Sequence, residues 1–314
     1  MSADLDGVVR DRQILDLTSL QTPEDVDRIT GLENIEFVLV PASLAAAVDG
    51  IPRRNVEQYV VVPDGVRVRS QTGMLQVGGG SFNGPDAQNE FLVVLGALVF
   101  TTPVTDIKLA GIVVIGAVYA PIGSEDAVGG AITQVMGMVG YYRYAEGQQI
   151  KTLSGQPKLN GAALANKAGS PDDILIAAGQ FTVTGPVTEL GYRELVVLGQ
   201  AILPRSGEDV LGPALQVSGQ TIWYGGSNPR LFMGNEEFGR QFLELIEEPA
   251  TFILFGNATF DADVTPELLR EKVAEIVLFG TIEGPKSIVP VLQYLTTEKF
   301  GTINALEDSA GDAG

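Results

Sequence analysis

The residues of this 314-residue chain that could carry chemistry are its carboxylates, because the sequence contains neither cysteine nor histidine. Without cysteine there is no thiolate nucleophile, no disulfide and no iron–sulfur ligand. Without histidine the chain lacks the usual general base and a common transition-metal ligand, so a Ser-His-Asp triad is excluded. Pairs of carboxylates, which glycosidases use for acid–base catalysis, are the chemistry that remains.

Two acidic pairs, Glu125–Asp126 and Glu208–Asp209, lie 83 residues apart. Such a pair could bind a metal ion or act in acid–base catalysis. The pairs also come shortly after Ser124 and Ser206, in segments typical of the start of a short helix, where the helix dipole favours acids. An active site rarely occurs twice in one chain, so we interpret both pairs as structural.

Two further groups of aspartates invite comparison with the clusters of β-helix pectinases and lyases. Asp172 and Asp173 follow Pro171 just before an expected strand, which is typical of a turn. Asp261 and Asp263 precede an expected helix start. We therefore predict no catalytic residue, no cofactor site and no metal site.

An internal duplication indicates how the elements that carry these residues are arranged. The segment that begins at Phe91 recurs from Ile174, with fourteen identities at an offset of 83 over the 42 positions 92–133. A degraded third copy begins near residue 251. Repetition on this scale is typical of stacked units that bury their apolar faces on their neighbours.

Short β-branched runs return at intervals along the whole chain, and most of them are followed by a glycine and then a proline. We expect these glycines at corners, where the chain leaves a strand. The pattern predicts one strand per coil in a mainly β, single-stranded parallel β-solenoid. The predicted strands are 35–40, 56–62, 73–77, 91–95, 112–115, 137–141, 155–159, 174–178, 195–198, 219–223, 251–255, 276–279 and 301–305.

Near both ends of the chain the connections favour helices. The segments that begin at Thr22 and Thr265 each offer a capping threonine, a proline and early acids, and 235–248 has apolar residues at helical spacing. The sequence thus predicts one continuous domain, whose parts are strand–helix capping coils over 1–66, a duplicated β-solenoid core over 67–230, further capping coils over 231–306, and a disordered tail over 307–314.

The middle of the chain, in strings such as "ILIAAGQFTVTGPV", resembles bactofilins and other bacterial β-helix proteins. The string "LTSLQTPEDVDRITGLENIEFVLVP" resembles leucine-rich repeats, although it lacks their asparagine position. The first resemblance implies polymerisation end to end through coils. Acidic ends argue against simple end-to-end stacking, because like charges would meet, and favour lateral association through the middle of the solenoid.

Charge is unevenly distributed along the sequence. The net charge is −19, of which residues 1–66 carry −7 and residues 230–314 carry −9. Binding of nucleic acid needs a basic face, and anionic membrane surfaces attract basic segments, so we expect neither as a partner. We also expect no membrane span, because the apolar runs are short and interrupted, and no signal peptide, and hence a cytoplasmic protein.

Aromatic residues recur in equivalent predicted strands and are the candidate interface. Tyr141, Tyr142 and Tyr144 lie in the first copy, and Trp223 and Tyr224 match Tyr141 and Tyr142 at an offset of 82. Aromatic side chains with a polar tip are enriched at interfaces, although they are also common at the margin of a core. We predict these five residues as a lateral contact surface.

The sequence thus favours a non-enzymatic structural or scaffold protein that self-associates through a solenoid flank, as a homo-oligomer. An alternative is a partner-binding solenoid that presents an acidic surface to a protein ligand. A third hypothesis is a carbohydrate-active β-helix enzyme, which would need two or three carboxylates converging on one groove.

Overall fold

The computed structural model describes residues 7–306, and its strands form four separate parallel sheets. The chain divides into two compact units, residues 1–144 and 145–314, and each unit contains two of the sheets. The predicted boundary at 66–67 lies in the connection between the first two sheets, whereas that at 230–231 lies inside a strand. The predicted tail over 307–314 lies outside the described residues.

Strands pair in chain order within every sheet, except that the first two strands of the third sheet both pair with its third strand. The first sheet contains β1 (Gly7–Asp16), β2 (Ile29–Pro41) and β3 (Arg53–Val62), and the second contains β4 (Arg67–Val77), β5 (Glu90–Phe100), β6 (Gly111–Pro121) and β7 (Ile132–Tyr142). The third contains β8 (Ile150–Gly155), β9 (Lys158–Asn160), β10 (Ile174–Thr184), β11 (Glu194–Pro204) and β12 (Leu215–Tyr224). The fourth contains β13 (Pro229–Phe238), β14 (Ala250–Phe260), β15 (Val273–Gly284) and β16 (Thr296–Ala305).

Short helices lie in several of the connections. They are α1 (Pro23–Val26), α2 (Ala45–Asp49), α3 (Glu125–Ala131), α4 (Glu208–Leu211), α5 (Arg240–Glu244), α6 (Pro266–Lys272) and α7 (Val289–Leu295). Single 3₁₀ turns occupy Ala42–Leu44, Pro85–Asn89, Gly161–Ala165, Arg205–Gly207 and Gly212–Ala214. Within residues 7–306, no helix has the length and apolar character needed to cross a membrane.

The expected mainly β architecture with parallel strands is confirmed, and the strands form four separate sheets. The expected helix starts are also present. Thr22 begins α1 in a capping box with Asp25, and the Thr265 hydroxyl accepts the Leu268 N–H at 3.3 Å at the start of α6. Strands β1 and β13 were not predicted, because charged residues break up their apolar patterns. The strand predicted over 155–159 is misplaced, since it covers the break between β8 and β9 and includes only the last residue of β8.

The helix predicted over 235–248 is wrong in its first part. Strand β13 continues to Phe238, and α5 covers only Arg240–Glu244. The apolar residues at helical spacing belong to two different elements, the end of β13 and the helix α5. Phe238 ends a strand and Phe242 lies on the following helix, and their rings pack at 5.2 Å between centroids.

The glycines expected at corners lie in the middle of strands instead. Gly96 and Gly116 are the central residues of β5 and β6, with φ of +132° and +128°. A Cβ atom on Gly116 would lie 2.0 Å from the Gly96 carbonyl oxygen, and one on Gly96 would lie 2.2 Å from that of Gly73. Both the backbone conformation and the close approach therefore require glycine, and each strand bends there and continues for about twice the predicted length.

The first sheet bends at a different set of residues. Asp11, Asn34 and Asn55 are neighbours across β1, β2 and β3 and have φ of 53°, 53° and 54°. Their side chains form a ladder, in which the Asn34 amide donates to Asp11 at 2.8 Å and the Asn55 amide donates to Asn34 at 3.1 Å. Asparagine and aspartate are the residues that, after glycine, best tolerate this conformation.

Each sheet buries both faces over part of its length. On one face of each sheet, which we call the inner face, the side chains pack against the connections. They form four apolar clusters, one for each sheet. In the first unit, outer-face residues of the first two sheets, among them Leu39, Val60 and Val93, pack together. In the second unit, Ile202, Ile222 and Ile253 do the same for the third and fourth sheets. The two units thus repeat one arrangement of paired sheets.

We predict that Gly116→Ala destabilises the protein much more than Gly73→Ala. Both glycines have positive φ, which costs an L residue about 1–2 kcal/mol. Only at Gly116 does the added methyl group also collide with a backbone carbonyl, because no atom lies within 4 Å of a Cβ on Gly73. We expect an excess loss of at least about 2 kcal/mol for Gly116→Ala, measured by chemical denaturation. Equal losses would show that the close strand approach does not limit stability.

Candidate functional site

Several of the carboxylates accept hydrogen bonds from backbone amides. Glu125 and Asp126 lie in the first turn of α3, as Glu208 and Asp209 do in α4, which confirms their interpretation as helix N-terminal acids. Glu275 is buried in β15 and accepts the N–H groups of two glycines, Gly225 and Gly226, both at 2.7 Å. Among residues 7–306, no group of three or more acidic side chains is placed to hold a metal ion.

Asp173 is the most heavily hydrogen-bonded of these carboxylates. It is buried, and it accepts the Gln149 N–H at 2.9 Å, the Ser170 N–H at 3.1 Å and the Asn166 amide at 3.2 Å, while Lys151 Nζ lies 3.7 Å away. Burial, the largest single influence, acts to raise the pKa of Asp173, but the three hydrogen bonds and Lys151 together lower it. Asp173 therefore stabilises the loop before β10. Likewise, Asp263 accepts the Arg240 N–H at 3.0 Å.

Two pockets occupy equivalent places in the two units. One, of about 390 Å³, is lined by residues that include Thr18, Ser43 and Asp64, and the other, of about 320 Å³, by residues that include Ser206 and Tyr224. Each lies beside the connection that links the two sheets of its unit. Asp64 already accepts the Ser43 hydroxyl at 2.9 Å, and no histidine is present to complete a nucleophile. The pockets therefore offer no catalytic constellation.

Two of the five predicted interface residues are buried. The Tyr142 hydroxyl donates to the Phe100 carbonyl at 2.7 Å, and the Tyr224 hydroxyl donates to the Val183 carbonyl at 2.8 Å. Burial raises the pKa of Tyr224 to about 12. Because both rings are buried within the chain, a partner cannot contact them in this conformation. Their shared role is to tie the last strand of a sheet to a strand two places earlier.

The other three predicted residues differ in their surroundings. Tyr141 and Trp223 are half-buried and pack against the inner clusters of the second and third sheets. They lie on β7 and β12, which are the last strands of these sheets. Tyr144 follows β7 and is exposed. The structure thus places Tyr141 and Trp223 at the open ends of two apolar cores.

Most terminal strands of the four sheets have a basic residue at the position that lies opposite a core residue of the neighbouring strand. An inward-pointing charge at such a position hinders the addition of a further strand. We call these residues guard residues, and among residues 7–306 they occur on six of the eight sheet edges. Each guard residue pairs in register with a core residue of the neighbouring strand: Arg12 with Ile35, Arg53 with Leu32, Arg69 with Leu92, Lys151 with Leu175, Arg230 with Phe252 and Lys299 with Leu278.

Strands β7 and β12 have no guard residue and contain no charged residue at all. Their side chains opposite the core are apolar apart from Thr221: Ile132, Val135, Val139 and Tyr141 on β7, and Leu215, Val217, Thr221 and Trp223 on β12. Val118 is fully buried, but its neighbour Val139 on β7 is 37% exposed. Ala201 is buried likewise, whereas Thr221 beside it is exposed.

No strand within residues 7–306 pairs with the outer side of β7 or of β12. We call these two strands the open edges. Sequence reasoning located their aromatic residues but missed the absence of charge, which is visible in "ITQVMGMVGYY" and "LQVSGQTIWY". Comparison of the chain with protein-family models, with curated proteins and with solved structures finds no match.

We predict that Asp173→Asn lowers the free energy of unfolding by about 2 kcal/mol at neutral pH, because it removes a buried charged acceptor. The neighbouring Asp172→Asn, which alters a partly exposed ion pair with Arg193, should cost less than about 1 kcal/mol. The measurement is urea denaturation of each variant.

The effect of Asp173→Asn should depend on pH. The folded-state pKa of Asp173 lies below its unfolded value, so its contribution is present above about pH 4 and is lost as the pH falls through the folded-state pKa. The difference between wild type and variant should therefore shrink in acid. A difference that stays constant from pH 7 to pH 3 would contradict this role of the carboxylate.

Proposed function

We propose that this protein is a non-catalytic structural protein that self-associates by pairing strands at its open edges, β7 and β12. The observation that carries the proposal is the absence of guard residues on these two edges, when the other six edges each have one. A long, uncharged strand at the end of a sheet, with half-exposed apolar side chains, is a template for another strand.

Strand pairing at an open edge would satisfy backbone groups and bury the half-exposed apolar side chains at the end of the core. Four of these side chains would each gain a side-chain neighbour on the added strand, as side chains on interior strands already have. They are Val139 and Tyr141 on β7, and Val217 and Trp223 on β12. Main-chain hydrogen bonds supply affinity in this mode, and the side chains supply register.

A ladder of glutamine side chains in the third sheet ends at one open edge. Gln180 donates to Gln200 at 2.7 Å, and Gln200 donates to Gln220 on β12 at 3.0 Å. Gln220 therefore presents its amide donor towards the next position along the ladder. A strand added at β12 could accept from it.

The chemistry of the rest of the chain supports a structural role. The sequence lacks cysteine and histidine, and Glu275, Asp173 and Asp64 are each engaged by backbone amides. Within each sheet a strand and a connection alternate as in a β-solenoid, so we infer that the chain is a solenoid-type repeat protein whose coils are arranged in four columns of strands. Self-association through the ends of columns replaces association through a lateral flank.

We predict that placing a lysine on each open edge abolishes self-association. Val139 and Thr221 pair in register with the core residues Val118 and Ala201, so Val139→Lys and Thr221→Lys together recreate the guard found on the other edges. Burying these unpaired charges would cost several kcal/mol, so we expect association at least about 100-fold weaker. Sedimentation velocity over a range of concentrations measures the change.

The matched control is Leu245→Lys, which adds the same charge at an apolar side chain that is 78% exposed next to α5, away from the sheet edges. This variant should associate as the wild type does. Added salt should strengthen wild-type association, because it screens repulsion between chains of net charge −19 while the open edges are uncharged. A wild type that remains monomeric at every concentration and salt would overturn the proposal.

A further inference from the structure

The first and last strands of the second sheet differ in charge: β4 contains two arginines, whereas β7 contains no charged residue. We propose that, given the self-association proposed above, the β7 edge pairs in antiparallel fashion with β7 of a second copy about a two-fold axis, so that the contact at this edge closes after two copies. The edge β12 is a separate site of association, which Thr221→Lys blocks in the mass measurement below.

Head-to-tail stacking would instead place β7 of one copy against β4 of the next. Strand β4 carries the guard residue Arg69 opposite Leu92, together with Arg67, which is bound to Glu90. Pairing in the register that runs through this sheet would bring Arg69 beside the apolar Ile132 of the second copy. Such a contact desolvates a guanidinium with no partner carboxylate on β7, which is costly.

The first edge of the third sheet is closed by three features. Lys151 pairs with the core residue Leu175 and is held in place by the Asn166 side chain, with which its Nζ makes a 2.5 Å hydrogen bond. The strand is interrupted between β8 and β9, and Pro157 lies in the interruption, where its carbonyl accepts the Thr182 N–H at 2.9 Å. A proline has no N–H to donate to a further strand.

The remaining partner for an open edge is another open edge. Because β7 has no charge, two copies of it meet without repulsion and without burying an ion. A surface that pairs with itself generates an isologous interface, which closes after two copies. In such a two-fold arrangement the paired strands run antiparallel, and the guard residues remain on the outer edges of the dimer.

Single-cysteine variants test the geometry, because the chain contains no cysteine of its own. We expect oxidation of at least one of Val135→Cys, Met136→Cys, Met138→Cys and Val139→Cys, each alone, to link two chains into a covalent dimer on a non-reducing gel. In a two-fold pair, residues near the axis lie opposite themselves. The control is Ser70→Cys, on the exposed side of β4, which should not link to itself or to a β7 cysteine.

The mass of the assembly is the second measurement. It is made on Thr221→Lys, in which β12 carries a lysine opposite the core, so that only the β7 edge is open. Light scattering of this variant should reach a plateau at twice the chain mass of 33.2 kDa. Adding Arg69→Leu removes the guard residue from the first edge of the second sheet, and the double variant should form species larger than the dimer as its concentration rises. If the double variant stays at the dimer mass, guard residues do not limit growth and the inference fails.

The two-fold geometry and self-association itself fail in different ways. A Thr221→Lys variant that grows without a plateau, that is monomeric while the wild type associates, or that cross-links only between β7 and β4 cysteines, overturns the two-fold geometry at β7 but leaves self-association intact. A wild type that is monomeric throughout overturns the proposed function. A plateau of Thr221→Lys at the dimer mass, together with β7-to-β7 cross-links, supports both.

Discussion

The close approach of successive strand backbones at one central residue is the constraint on which the rest of this structure depends. In the second sheet the carbonyl oxygens of Gly73 and Gly96 occupy the space that a side chain on Gly96 or Gly116 would need. Each strand can bend there only if its central residue has no Cβ, and the bend lets a strand run for eleven residues, as in β5 and β6. Because the bends are stacked, they also fix the register of each strand on the one before it.

A stack of strands built in this way has two ends, and the association that we propose takes place at such ends. Every interior strand shields the core residues of its neighbours, as the complete burial of Val118 shows. Terminal strands are not shielded in this way. Six edges carry an arginine or lysine opposite a core residue, and such a charge hinders the addition of a strand. The other two edges, β7 and β12, lack a charged residue, which is why the proposal assigns association to them.

In this protein, carboxylates accept hydrogen bonds from backbone N–H groups of the kind that helix caps and ordered water often satisfy in other folds. Several backbone N–H groups in the connections donate to carboxylates that lie at least 21 residues away in the chain. Asp64, Asp173 and Glu275 accept these hydrogen bonds. Such use of acidic side chains stabilises the connections, and it explains why a chain with 39 acidic residues among residues 1–314 brings so few of them together.

The sequence by itself determined the class of fold and the local starts of helices. A mainly β fold with parallel strands follows from the repeated β-branched runs, and Thr22 and Thr265 begin helices because their capping is local. Sequence reasoning also found Tyr141 and Trp223. Only the tertiary structure decided that Gly96 and Gly116 bend a strand instead of ending it, that Tyr142 is buried, and that Arg69 faces a core residue while β7 has no such charge. These depend on which residues of different strands lie opposite each other, and that register is set by contacts between residues far apart in the chain.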